Sequence, residues 1–279
     1  MKEVFIEGLL LISALASILA IFLIIIFVFA KGLPLIAKVG VFKFLFSSTW
    51  DPVNGQFGIA TMIAGSLAIT LGALIWAVPL GLALSIFLSE IASPRIKGIM
   101  VPMIELLAGL PSVIYGFFGL VIIVPFIRDY LGGPGFSILA GSVILGIMVL
   151  PTIVNIARDA ITVVPREYRE GSLALGATQW ETISRIVLPS ASSGIITAIV
   201  LGMGRAVGET MAVVLITGNV TRMPESILSP VRSMTGNVVL EMGYATGDHQ
   251  LALFATGVVL FVFIIILNAL VSVGRKERV

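Results

Sequence analysis

Long apolar runs dominate the chain, and polar residues gather in the connections between them. A helix needs about 20 apolar residues to cross about 30 Å of hydrocarbon. Six runs qualify, at about 8–30, 59–89, 100–127, 135–157, 191–217 and 251–274. The second is longer than a bilayer requires and contains Pro79, which predicts a tilt or a kink. The third begins near Glu105, placing that carboxylate at the inner end of the span, and is broken by Pro111. Composition agrees with the pattern. The chain is 58% hydrophobic and 11% charged, whereas soluble domains carry about one-quarter charged residues. The expected fold class is all-α integral membrane, with six transmembrane helices. Residues 1–57 form a first span and an outer connector, and 58–274 form a core of spans two to six.

Six spans put both termini on one side. Lys2, Arg95, Lys97, Arg158, Arg166, Arg169, Arg185, Arg275, Lys276 and Arg278 share that side, against Lys31, Lys38, Lys43, Arg128, Arg222 and Arg232 opposite. The excess predicts cytoplasmic termini. Lys2, the apolar run and Ala14-Leu15-Ala16 also resemble a cleavable signal, but the run continues to Ala30 and reads as a retained span. A net charge of +2 gives no reason to expect nucleic acid, and lipid is the evident solvent. The absence of cysteine excludes disulfides and thiolate metal sites. The single histidine, His249, reads as a solvated connector residue, and no metal site or catalytic residue is assigned. No GxxxxGK[ST], HExxH or G-x-S-x-G motif occurs, so any ATP-driven step requires a separate chain.

The fifth run contains a costly feature. Arg205 and Glu209, in GRAVGET (204–210), interrupt an otherwise apolar stretch. An ionised side chain at the bilayer centre costs about 2.5–3.5 kcal/mol on insertion scales. Four-residue spacing on a continuous helix places both on one face, where they can pair. The two readings are a self-neutralised structural ion pair and a polar pathway for a solute. Gly204 and Gly208, also four apart, form a small-residue face suited to close helix approach or to plain packing. Ser112 and Tyr115, beside Pro111, either line a route or pack.

The connector 158–189 reads as two short helices. Pro165 and Glu167 suit the first turn of one, and Gly176 a left-handed end. Thr178 and Glu181 form a capping box that opens the second, which Pro189 ends. Trp180, Ile183, Ile186 and Val187 would make its apolar stripe, with Glu181, Thr182, Ser184 and Arg185 facing away. Such a unit fits either a docking element or an ordinary surface-lying connector.

Segment 170–189, EGSLALGATQWETISRIVLP, closely resembles the EAA loop of binding-protein-dependent ABC importer permeases. The matching positions are Glu170, Gly171, Ser172, Gly176, Ile186, Leu188 and Pro189, with Gly171 and Ser172 departing from the usual alanines. ELLAGLPSVIYGFFGL (105–120), GRAVGETMAVVLITGN (204–219) and WDPVNGQFGIATMIAGSL (50–67) are similar to segments of the phosphate-uptake permeases, the last to the PstC-type subunit. The resemblance covers about residues 50–270.

It implies a type I ABC importer permease fold, with cytoplasmic coupling helices in the loop 158–189. It further implies a permease subunit of an inner-membrane, ATP-driven phosphate importer, forming half of the path and binding no cofactor itself. The implied partners are a PstA-type sister in a pseudo-twofold heterodimer, a cytoplasmic ATPase dimer that binds ATP, and an external phosphate-binding protein. Glu170, Gly176, Ile186, Leu188 and Pro189 would then meet the ATPase. Arg205 would meet the anion, and Glu209 would hold Arg205 between transport events. The polar connector 218–250 would suit the binding protein. A permease for molybdate or sulfate, the PstA-type sister subunit itself, an ion-coupled secondary transporter and a structural subunit of a larger complex are the competing readings.

Overall fold

The computed structural model describes the backbone of residues 2–276 and the side chains of residues 6–269. The side chains of Lys2, Arg275, Lys276 and Arg278, counted above for orientation, lie outside that range.

The chain is a helical bundle. Helix α1 (Lys2–Val39) leads through α2 (Val41–Phe46) and a two-stranded hairpin, β1 (Trp50–Asp51) and β2 (Gln56–Phe57), into α3 (Ala60–Ile86). Helix α3 ends in a π turn over Phe87–Ile91, and α4 (Pro94–Gly109) follows. Next come α5 (Ser112–Phe118), a π turn over Gly119–Ile123, α6 (Val124–Tyr130) and α7 (Ile138–Thr162). The loop region holds α8 (Arg166–Ala174), α9 (Gln179–Thr182), a π turn over Ile183–Val187 and α10 (Leu188–Ser190). The chain continues as α11 (Ser192–Gly208), α12 (Met211–Ile216), α13 (Met234–Glu241) and α14 (Gly247–Lys276).

Five stretches among the described residues are long and apolar enough to cross a membrane: Ile6–Val39, Ala60–Ile91, Ser112–Tyr130, Ile138–Thr162 and Gly247–Ala269. The remaining span, fifth in chain order, passes the same test only when α11 is taken with Gln179–Ser190, across a bend of 69°; that lead-in lies largely in the 158–189 loop. The expected number is thus reached with a different construction. The third span starts at Ser112 rather than near 100, and α4 is a separate helix. The reason is Pro111, which lacks an N–H and forces its predecessor out of helical backbone. Leu110 accordingly sits at φ −69°, ψ 134°. Glu105 therefore lies exposed on α4 and not at the inner end of a span.

The core is built from α3, α7 and the inward faces of α11 and α12, around Ile69, Ile144, Met148, Ile153, Ala206 and Ile216. Small residues set how near the helices come. A Cβ at Gly202 would lie 2.8 Å from Ile153 Cγ1, so α11 seats against α7 only with glycine there. Helix α1 stands outside this core and packs along α14, with Phe27–Phe254 and Phe29–Phe261 edge to face at 5.5 and 5.7 Å.

At the end of the bundle opposite the 158–189 loop, His249 departs from its expected solvated state. Its Nε2 lies 2.8 Å from Glu241 Oε2, and Trp50 Nε1 donates to the same oxygen at 2.9 Å. Arg232 pairs with the other Glu241 oxygen and donates to Asn237 Oδ1 and to the Asn219 carbonyl. Glu241 is only 7% exposed. The network ties the hairpin, α13 and α14 together. Connector 218–250 is thus partly structural, with Val231, Met234 and Asn237 buried. Glu241→Leu strands Arg232 without its counter-charge, which should cost about 3 kcal/mol. The measurement is the thermal midpoint of the detergent-solubilised chain, which should fall.

Candidate functional site

The fifth span is not one helix. Helix α11 stops at Gly208, Glu209 is extended at φ −68°, ψ 137°, and α12 starts at Met211. Arg205 therefore lies in the last turn of α11, where the carbonyl pole of a helix favours a cation. Glu209 precedes α12, and its Oε1 accepts the Ala212 N–H at 3.1 Å. Each charge is stabilised by a helix end. The expected Arg205–Glu209 pair is absent among the described ion pairs. The physical reason is the break, since four-residue spacing unites two side chains only on an unbroken helix.

Backbone groups freed by the break are satisfied locally, as membrane depth demands. Thr235 Oγ1 donates to the Glu209 carbonyl at 2.9 Å, and Thr210 Oγ1 to the Gly208 carbonyl at 3.3 Å. Glu209 also borders a small space of about 10 Å³ lined by Ser66, Thr70 and Ser233 together with apolar Ile69, Leu145 and Val213, about the room one water needs.

Arg205 is exposed on this chain, and its one described partner is Thr152 Oγ1, accepting from Nη1 at 3.4 Å. It lies about 20 Å along α11 from Ser192 at the usual helical rise. Gly204 and Gly208 have no atom within 4 Å of a built Cβ. Their small-residue face is uncovered, and the tight contact within the chain is made by Gly202 instead. Tyr115 is buried, and its hydroxyl donates to the Leu107 carbonyl at 2.6 Å. That bond bridges α4 and α5 across the Pro111 break, and the hydroxyl is committed. Ser112 is half-buried at the first position of α5.

Far along the bundle, the 158–189 loop follows its sequence signals closely at its turns. Pro165 caps α8 from just outside it. Gly176 has φ +88°, and the N–H of Gly176 and Ala177 donate to Leu173 and Ser172 carbonyls at 3.0 and 3.2 Å. This is a Schellman end, in which the left-handed position suits glycine. The Thr178–Glu181 capping box is complete in both directions. The predicted stripe is wrong in detail. Trp180 is exposed and Ile186 borders on it, whereas Thr182 is buried with Ile183 and Val187. A π turn at Ile183–Val187 inserts an extra residue and rotates the apolar face. It also carries the helix through Pro189, which does not end it; the turn to α11 comes at Ala191. Glu170, Gly176 and Pro189 are exposed, and Leu188 is half-buried. Tyr168, Leu173, Leu175 and Trp180 add an outward apolar surface.

Residues 77–274 match the family model described as binding-protein-dependent transport system inner membrane component. The chain belongs to this permease family. A probable ABC transporter permease of Bacillus subtilis, YqgH, is 42% identical over 93% of this chain and 87% of its own length. The phosphate transport system permease protein PstC of Pasteurella multocida is 35% identical over 84% of this chain and 78% of its own. A probable PstC of Methanocaldococcus jannaschii is 30% identical over 92% and 90%. The fold has solved counterparts. A chain of a bacterial ABC transporter importing the acidic polysaccharide alginate superposes with TM-score 0.64 at 17% identity, covering 95% of this chain and 96% of that one. A chain of the inward-facing MetNI methionine transporter gives 0.59 at 18% identity, covering 80% and 94%. The architecture is that of a type I ABC importer permease. Members of this family transport rather than catalyse, and act with a further permease subunit, an ATPase and a substrate-binding protein.

Glu181 titrates below its ordinary value of 4.5 because the Thr178 N–H and hydroxyl both donate to its carboxylate. A lowered folded value means the cap is present at neutral pH and lost as acid protonates Glu181. Thr178→Ala should weaken α9 by about 1 kcal/mol. Amide exchange across 178–188, corrected for intrinsic rates, should rise in that variant and, in the wild type, as the pH falls progressively below 4.5.

Proposed function

We propose that this chain is the PstC-type permease subunit of an ATP-driven inorganic phosphate importer. Residues 58–274 form its transport core, and both termini are cytoplasmic. The observation that carries the reading is a permanently charged guanidinium at membrane depth, left uncovered by its own chain beside Gly204 and Gly208. A charge there needs a neighbour or a water-filled path. A PstA-type sister packed on that face in a pseudo-twofold heterodimer would enclose Arg205 in a shared route. Phosphate entering that route loses its hydration, and a planar fork of N–H donors replaces it better than an ammonium does. Similarity to several proteins named as phosphate permeases supports the choice of anion over molybdate or sulfate.

Glu209 acts on this reading by capping α12 and fixing the break, rather than by gripping Arg205. Ser112, half-buried at the start of α5, lines the route on this reading; Tyr115 serves it indirectly by holding the α4–α5 junction. The exposed surface of the 158–189 loop, with Glu170, Gly176 and Ile186, is the docking face for the cytoplasmic ATPase. An external phosphate-binding protein delivers the anion to the opposite end.

Two measurements test this. Radiolabelled phosphate uptake by the full complex should fall at least about tenfold in Arg205→Lys, as expected for loss of a bidentate charged contact, with subunit assembly unchanged. Wild-type uptake in that variant removes Arg205 from the pathway. Gly176→Asp should uncouple hydrolysis from uptake or release the ATPase, and retention of both at wild-type levels removes the docking role.

A further inference from the structure

Where the loop meets the bundle, one side chain joins three elements. Arg169, in α8, donates through Nε to both Glu90 oxygens at 3.2 and 3.1 Å, and through Nη2 to Oε1 at 2.6 Å. The same guanidinium donates to the Val164 and Ile161 carbonyls at 2.6 and 2.9 Å. The Ile161 carbonyl lies in the last turn of α7 and that of Val164 just beyond its end, and Glu90 lies in the π turn that ends α3. Arg169 and Glu90 are 20% and 10% exposed. The Gln179 amide reaches the Glu90 carbonyl at 3.5 Å, and the Ser172 and Thr182 hydroxyls join α8 to α9 at 2.9 Å. Beneath them Val187 packs on Ile161 and Val164.

Such a pair is a poor device for stability alone, because desolvation offsets most of its attraction. Its distinctive product is direction. A planar fork held by a carboxylate and two carbonyls fixes the angle of α8 against both spans. Without it, α8 is joined to α7 by the short turn Val163–Pro165, where Pro165 sits at ψ 142° and no helix crosses. A push on the loop would bend that turn. We propose that Arg169 and Glu90 are positioning residues of the transport stroke, clamping the loop to α3 and α7 so that ATPase movement turns the spans. This rests on reading 158–189 as the coupling loop.

The test uses the complete importer in liposomes, with phosphate uptake and ATP hydrolysis measured together for Arg169→Lys, Glu90→Gln and the double variant. Lysine keeps the charge but presents its donors from a single nitrogen, without the planar fork that spans Glu90 and the two carbonyls. Phosphate moved per ATP should fall about fivefold in each single variant and no further in the double, the sign of one shared interaction. The ATPase should remain in the purified complex. A ratio within about twofold of wild type in both singles overturns the clamp, as does independent loss in the double. Loss of the ATPase from both singles also overturns it, reducing the pair to a support of the docking face. If Gly176→Asp leaves transport and ATPase retention intact, the coupling-loop reading falls instead, whatever the clamp variants do.

Discussion

Hydrocarbon offers no water to an ion or to an unpaired peptide group, and that constraint shapes the centre of this permease. The fifth span carries two charges, and it accommodates them by breaking. At the break, α11 ends against Arg205 and α12 begins against Glu209. The opposite poles of two helices thus stabilise opposite charges. Thr210 and Thr235 hydroxyls take up the carbonyls that the break releases. A continuous helix would have let the two side chains neutralise each other. The broken one leaves the guanidinium on the surface, available to whatever covers that face.

The same economy of breaks recurs where the helices must change direction. Pro111 separates α4 from α5, and the Tyr115 hydroxyl spans the gap. Of three π turns, those at Gly119–Ile123 and Ile183–Val187 rotate the faces of their helices without ending them, and the one at Phe87–Ile91 closes α3. Two of these border the loop junction, one holding Glu90 and the other shaping the surface that packs on α7. The loop is closed by its own caps and hydroxyl bridge and attached to the spans by the Arg169 guanidinium, the Gln179 amide and the apolar cluster of Val187 with Ile161 and Val164.

The pairing of half-buried His249 follows from contacts that local sequence does not announce. A lone histidine in a polar connector has no pattern that identifies its partner, and although Glu241 and Arg232 lie in the same connector, Trp50 comes from the distant hairpin. Arg169 is similar: nothing in its neighbourhood names Glu90, which lies seventy-nine residues away. A buried charge was the available clue, since each such cation needs a partner, but burial itself is tertiary.

Local rules were enough for everything with a short-range cause. Apolar run length determined the membrane spans, Thr178 and Glu181 the opening of α9, and Gly176 the left-handed end of α8, because each depends on atoms within a few residues. The motif spacing in 170–189 determined the family. Only the folded chain decided which of two plausible states each charge adopts. Arg205 and Glu209 part because α12 and Thr235 satisfy the broken backbone, and the stripe of the second loop helix rotates because the π turn buries Ile183 and Val187 instead of Ile186. Periodicity extrapolates a straight helix, whereas the energy of a break is set by distant donors that only tertiary packing brings near.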